Sequence, residues 1–377
     1  MTYGPNILCY DAHDLRILMD YRAALRERTG VGEYVHQLAS ALVPLLVPGD
    51  ELTLFSSSWK DRMPAHAVPG ASVVDARVPV RVLNFAWHRS GFPPVDWLAG
   101  HHDIVQALHP LLIPARTGAG FITIHDLDFL DHPERTRAEI RRDYAALAPA
   151  HARRADRVVT VSGYTASEIV RRLGVDRSRI VVCPPGAPAW TPRPAAQVRG
   201  PILFMGTLEA RKNVGVLLDA YARLRAARPD APELLLAGHA PPAAAGWLSR
   251  IAAPPLAGHV RHLGYVAGDR RQDLYRSASM LVLPSLLEGF GLPVLEAMTI
   301  GVPVVVSNRG ALPEVARDAG QIVAPEDPDA LAAAMERYLS DRSFYSAAVD
   351  RGLARARQYS WRESASTLLA SYTQAAK

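Results

Sequence analysis

The chain has 377 residues, more than one typical core holds, so two domains are expected. Apolar residues make up 49% and the net charge is +5; the mild basic excess suits phosphate-bearing substrates or an anionic membrane surface. Nucleic acid is disfavoured because no basic run is interleaved with aromatics. Cys9 and Cys183 are far apart and are expected to stay reduced in a cytoplasmic protein. Neither C-x-x-C nor H-E-x-x-H occurs, so no metal site is expected. The opening M-T-Y-G-P-N does not read as a signal peptide, and no apolar run reaches the length of a membrane span.

Short apolar runs alternate with helical patterns along the chain. The first series of expected strands is Asn6–Cys9, Glu51–Phe55, Ser72–Arg77, Ile104–Ala107, Gly120–Ile124, Arg157–Val161 and Ile180–Cys183. Between them, Gly30 and Gly32 flank Val31 in a loop opening a helix, where missing side chains let backbone approach a ligand or simply make a turn. His125 and Asp126 follow the strand F-I-T-I. His125 reads as a ligand contact or as a strand-end histidine satisfied by backbone. Asp126 fixes its tautomer or caps a turn. Arg135 to Arg157 is dense in arginine and reads either as a solvated helix face or as a face for anionic lipid.

The prolines of Pro184 to Pro194 cannot continue a helix or a central strand, so a linker falls there. A second series follows: Ile202–Met205, Leu234–Ala237, Val260–Leu263, Met280–Leu283 and Val302–Val306. Two runs of strand–helix alternation predict an α/β protein of two doubly wound parallel sheets. In such sheets ligands bind beyond the C-terminal strand ends, which predicts a cleft between the domains.

Two motifs in the second series carry the chemistry. In I-L-F-M-G-T-L-E-A-R-K-N, a strand leads to Gly206 and then to Arg211 and Lys212, a compact cationic clamp for phosphate, with Asn213 as the expected helix cap. In P-S-L-L-E-G-F-G-L-P-V-L-E-A-M, a glycine turn leads into a helix opened by Pro293. Its N–H groups near Phe290, Gly291 and Leu292 converge where a phosphate would sit, with Glu288 on the loop and Glu296 one turn into the helix. Leu263 to Val266 offers backbone groups to a base. Tyr265 there stacks on the base or belongs to the core, and Val266 stands beside it.

The two motifs, with Arg28 to Leu42, T-I-H-D-L, Val158 to Glu168, Ile180 to Gly186 and the tail Tyr359 to Tyr372, resemble the family 4 retaining glycosyltransferases of the GT-B architecture. The resemblance covers nearly the whole chain. It implies two Rossmann-like domains facing across a cleft: 1–190 on the acceptor side, 191–358 binding the nucleotide sugar, and a last helix in 359–377 crossing back to the first. It implies a metal-independent transfer of a hexose from a nucleoside diphosphate sugar to a glycan or lipid-linked glycan. The stretches around His125 and Lys212 look most like bacterial mannosyltransferases of polysaccharide or O-antigen assembly, which makes GDP-mannose the first choice of donor.

By that resemblance His125, Glu288, Arg211 and Lys212 are catalytic. Gly32, Gly206, Tyr265, Val266, Phe290, Gly291, Leu292 and Glu296 bind the donor, with Glu296 on the ribose hydroxyls. Glu288 orients the sugar and stabilises its positive charge; a double displacement with Glu288 as nucleophile is the disfavoured alternative. Glu314 resembles a family position and receives no role. The expected location is cytoplasmic, with peripheral contact at the inner face of the membrane through 135–157. The competing readings are a GT-B sugar-nucleotide epimerase, which needs no acceptor, and a nucleotide-sugar-binding module without turnover.

Overall fold

A computed structural model of the chain describes residues 14–25, 30–135 and 138–376. One sheet contains β1 (Arg16–Asp20), β2 (Glu51–Ser56), β3 (Ser72–Asp75), β4 (Ile104–Ala107), β5 (Ala119–Ile124), β6 (Arg157–Thr160) and β7 (Ile180–Val182), in the order β3-β2-β1-β4-β5-β6-β7. The other contains β8 (Ile202–Met205), β9 (Leu234–Ala237), β10 (Val260–Gly264), β11 (Met280–Leu283), β12 (Val304–Ser307) and β13 (Gly320–Val323), in the order β10-β9-β8-β11-β12-β13. The strands pair in parallel throughout.

The cause is visible in the central strands. I-L-F-M, L-L-L-A, M-L-V-L and V-V-V-S are buried at every position, as a sheet covered by helices on both faces requires. Each such aliphatic side chain contributes about 1.5–3 kcal/mol on burial. The expected strand Asn6–Cys9 lies outside the described residues. Two strands went unread in the sequence. β1 has only Ile17, Leu18 and Met19 between Arg16 and Asp20, and β13 is a half-exposed edge strand without a continuous apolar run. β12 starts two residues later than expected, because Val302 N–H closes the preceding helix on the Ala297 carbonyl (2.9 Å), past Gly301 at φ 83°.

The segment from Pro184 to Pro194 is without helix or strand. The last helix, Trp361–Ala375, packs on the first sheet: the Tyr372 hydroxyl donates to Gln106 on β4 (3.1 Å) and its ring meets Phe121 edge-on at 4.9 Å. Helix Ala138–Arg154 turns Asp143, Ala148 and Ala152 inward, and two of its arginines are engaged, Arg142 with Asp143 and Arg153 with the Leu173 carbonyl. Among the described residues no helix is long and apolar enough to cross a membrane.

In each sheet the order reverses once between central neighbours, β1 and β4 in the first, β8 and β11 in the second. The crevice beyond the C-terminal ends at such a reversal is where open parallel sheets bind ligands.

Candidate active site

The second sheet places both charged motifs at its reversal. β8 is followed by Gly206, whose φ of 154° admits few residues other than glycine; a Cβ there would stand 3.3 Å from Lys212 Cε. A turn at 210–212 then presents Arg211 and Lys212. β11 leads through Ser285 to Glu288. Asn213, expected as a side-chain cap, is instead left-handed (φ 57°), and its amide donates to the carbonyls of Pro284 (3.2 Å) and Pro325 (2.7 Å). It ties the loops after β8 and β11 together rather than satisfying the helix.

Glu288 is buried and collects three partners. Lys212 Nζ stands 2.5 Å from Oε1, Ser285 Oγ donates to Oε1 at 2.7 Å, and Arg211 Nη1 lies 3.4 Å from Oε2. Arg211 also donates to the Leu287 carbonyl (2.9 Å) and pairs with Glu209 (3.0 Å). Burial pushes the Glu288 carboxyl up, but the Lys212 and Arg211 charges overcome it and hold it below the ordinary value. Arg211 is pushed up in turn, its own burial cost outweighed by Glu288, Asp126 and Glu209. The cations and the carboxylate, which the sequence suggested for different parts of a ligand, form one buried cluster.

Past Glu288 the chain turns through Gly291 (φ 107°) into helix Leu292–Ile300 with Pro293 in its first turn. Among the described residues the N–H groups of Phe290, Gly291 and Leu292 donate to no backbone carbonyl, which leaves three donors at the helix start two to four residues past Glu288. Glu296, on the next turn, is buried between Arg271 (3.1 Å) and the Tyr275 hydroxyl (2.7 Å). Burial raises its carboxyl, only partly offset by Arg271 and Tyr275, with Glu33 of the first domain adding to the rise. Sequence reasoning missed Ser285, Arg271 and Tyr275. Ser285 was signalled only by its place three residues before Glu288, and the other two form an i,i+4 pair on the preceding helix without any motif.

Tyr265 stacks on His239 at 4.9 Å and 12°, which makes a flat platform at the ends of β9 and β10. Val266 packs against the hydrophobic core.

The first domain meets this cluster through His125 at the end of β5. The His125 ring lies by the backbone of Leu108, which favours its charged form, and faces Tyr34 edge-on at 5.2 Å. Burial lowers its pKa to about 4, so the ring is neutral at pH 7, and its buried Nε2 has no protein partner among the described residues. Asp126 caps a turn, accepting from Asp128 N–H at 3.1 Å. Gly32 lies against the Ala23 carbonyl, 2.6 Å from where a Cβ would be, so this glycine serves close packing. Gly30 has φ 32° and open space around it, and Arg28 and Thr29 lie outside the described residues.

Three contacts hold the domains together here. A Cβ on Gly289 would stand 2.0 Å from the His125 carbonyl oxygen; Thr165 Oγ1 lies 3.4 Å from the carbonyls of both His125 and Gly289; and the Glu314 carboxylate accepts the N–H groups of Gly163 (3.0 Å) and Tyr164 (2.9 Å). Glu314 thus caps, from the second domain, a helix of the first. No group of three potential metal ligands occurs among the described residues. A groove of about 750 Å³ between β7 and the last helix lies away from this chemistry, and among the described residues the only charged group lining it is Arg157.

Residues 28–189 match the Glycosyltransferase Family 4 profile, and residues 199–341 match that of Glycosyl transferases group 1. The O-antigen chain mannosyltransferase B of Escherichia coli is 34% identical over 88% of this chain and 93% of its own length. Among solved structures, sucrose-phosphate synthase from Thermosynechococcus elongatus superposes with a TM-score of 0.76 at 20% identity, covering 96% of this chain and 98% of its own. Anabaena HepE, in complex with UDP and glucose, does so with a TM-score of 0.67 at 17% identity, covering 95% and 99%. The two-sheet architecture is that of the GT-B glycosyltransferases, and the chain belongs to the family 4 glycosyltransferases.

Proposed function

We propose that this glycosyltransferase moves a hexose from a nucleoside diphosphate sugar to a glycan or lipid-linked glycan with retention of configuration and without a metal. Mannose from GDP-mannose is the first choice, supported by the likeness to the Escherichia coli mannosyltransferase. The observation that carries the reading is the buried Lys212–Glu288–Arg211 cluster, which adjoins the free N–H groups of Phe290, Gly291 and Leu292 and faces His125.

In this reading the departing diphosphate takes the N–H edge, with Arg211 and Lys212 neutralising the charge that develops on it. Preorganised donors of this kind are usually the largest catalytic contribution and remove the need for a divalent ion. Gly206 lets the backbone approach, and Tyr265 and Val266 border the base. Glu296 receives the ribose hydroxyls; both its oxygens already have partners, but a carboxylate has further lone pairs for hydroxyl donors. Glu288, paired with two cations, is a poor nucleophile, which supports sugar orientation over double displacement. The neutral His125, with Nε2 unpartnered, is suited to a hydrogen bond with the donor sugar. The acceptor proton passes to the departing phosphate on the same face.

Thermal unfolding with GDP, UDP or ADP in a chelator tests the donor series. A ligand at ~100 times its Kd stabilises by about 2.7 kcal/mol. A shift with GDP alone supports the mannosyl reading, a shift with UDP or ADP replaces the donor, and no shift with any removes the diphosphate site.

A further inference from the structure

The first sheet has its own reversal, between β1 and β4, and there too a charged cluster closes the strand ends. β1 ends at Asp20, which is buried. Arg22 grips it bidentately, Nε to Oδ1 at 2.9 Å and Nη2 to Oδ2 at 2.7 Å. Arg22 Nη1 donates to Asn84 Oδ1 (2.8 Å) on helix Val80–Ser90, and the guanidinium lies over Trp87. His109, just past β4, places Nε2 3.4 Å from Asp20 Oδ2 and 3.2 Å from Arg22 Nη2, while its Nδ1 accepts from Leu111 N–H (3.3 Å). The His109 ring stacks on Tyr144 at 6.1 Å and 23°. Burial raises the Asp20 carboxyl, but Arg22 and His109 outweigh it and hold it far below the ordinary range.

Stability alone is a weak reason for such a cluster. A buried ion pair costs desolvation and is often matched or bettered by apolar side chains of similar volume. Its position does account for it. Leu108 and His109 lie between the two ends: the His125 ring lies by the Leu108 backbone, and Thr123 N–H bonds the His109 carbonyl at 3.3 Å. β1 and β5 both pair with β4, so Asp20 stands two strand spacings, about 10 Å, from Ile122, and His125 lies three residues further along the chain. The cluster and His125 thus stand at the same, C-terminal, end of the first sheet.

The chemistry selects the ligand class. The Arg22 charge is matched by Asp20, so the cluster has no unbalanced cation to demand a phosphate. The site offers planar, fixed donors and acceptors beside aromatic faces, an arrangement that orients a small polar ligand through a few placed groups. We propose that Arg22, Asn84 and His109 form the subsite for the acceptor sugar, bound as a neutral pyranose through its ring hydroxyls, with Asp20 positioning Arg22. This rests on the glycosyltransferase reading above and names the acceptor side of it.

The test uses the full chain and two neutral probes, octyl α-D-mannopyranoside and octyl N-acetyl-β-D-glucosaminide, with mannose 6-phosphate as the anionic comparison. Saccharide binding is read by saturation-transfer NMR without donor, nucleotide Kd by calorimetry, and transfer kinetics with GDP-mannose. The parent binds a neutral glycoside in preference to the phosphate. Arg22→Lys, which keeps charge but loses the fork, raises the glycoside Kd and KM by at least about ten-fold, and Asn84→Ala and His109→Gln by about three-fold or more. Nucleotide Kd stays near the parent value in all three, while Tm falls where a bond of the buried cluster is lost. Asp20→Asn is expected to act on KM before kcat if it folds; the other variants decide the matter if it does not.

Glycoside affinity unchanged in Arg22→Lys and His109→Gln, with only kcat or Tm lowered, would make the cluster structural and overturn the inference. So would a parent that binds only the phosphorylated sugar, or neither saccharide. A parent that binds saccharide but no nucleotide would instead sink the donor assignment and leave the subsite standing.

Discussion

Gly289 and His125 stand against each other across the domain boundary, so closely that a methyl on Gly289 would lie 2.0 Å from the His125 carbonyl oxygen. Gly289 is next to Glu288, and His125 ends β5, so this contact sets the separation of the two halves of the site. Gly289→Ala must therefore move backbone. A shift near 1 Å is expected to cost transfer about 100-fold, while nucleotide affinity, which depends on the second domain, changes little. Steady-state kinetics beside nucleotide calorimetry check this; parental kcat in Gly289→Ala would mean the domains meet differently during turnover.

Glu314 caps Gly163 and Tyr164 from the opposite domain with two charge-assisted bonds. Losing a cap typically costs about 0.5–2 kcal/mol. In Glu314→Ala that cost falls on the closed arrangement, so KM for the donor rises and small-angle scattering of the variant shows a larger radius of gyration. Identical scattering and KM would remove Glu314 from closure.

The pKa of His125 is lowered to about 4 by burial, against 6.5 for an ordinary histidine. Between those values the unfolded chain binds the proton more readily than the folded one. Stability therefore rises with pH through that window and is lost as pH falls from 6.5 towards 4, by at most about 3 kcal/mol. His125→Gln removes this contribution. Denaturant midpoints from pH 7 to 5 should fall more steeply in the parent than in the variant, and parallel curves would show that His125 titrates normally.

Glu288 is linked to pH in the same direction as His125, through a carboxyl rather than an imidazole. Its folded pKa lies below its ordinary value, burial being overcome by Lys212 and Arg211, so its contribution is full above about pH 4.3 and lost as pH falls through the folded value. Lys212→Ala leaves the buried carboxylate with Arg211 and Ser285 only. Breaking such a pair costs up to about 3–5 kcal/mol, and acid unfolding should begin at higher pH. Transfer should fall about 100-fold or more. Turnover near the parent level in a folded Lys212→Ala protein would remove the ammonium from the mechanism.

The parts of the Lys212–Glu288–Arg211 cluster were legible in the sequence because each is contiguous. Arg211 and Lys212 follow one buried apolar strand, Glu288 and Gly291 follow another, and both strands carry unbroken apolar runs. What joined them was hidden. The bond from Lys212 to Glu288 spans 76 residues, and nothing local marks it. The Asp20 cluster was silent for the same reason: Arg22 reaches Asn84 across 62 residues and His109 across 87. β1, which carries Asp20, was itself unread, because three apolar residues between two charges resemble a turn as much as a strand. Asn213 was misjudged as a side-chain cap because capping propensity is local, whereas its amide serves two carbonyls brought near only by the fold.

The most direct measurement is a transfer assay with GDP-mannose and octyl α-D-mannopyranoside in excess chelator, parent beside Glu288→Gln, with the product anomer assigned by NMR. The account predicts GDP release matched by an α-linked product in the parent and loss of most transfer in a folded Glu288→Gln protein. A β-linked product, a requirement for divalent metal, or undiminished transfer in Glu288→Gln would contradict it.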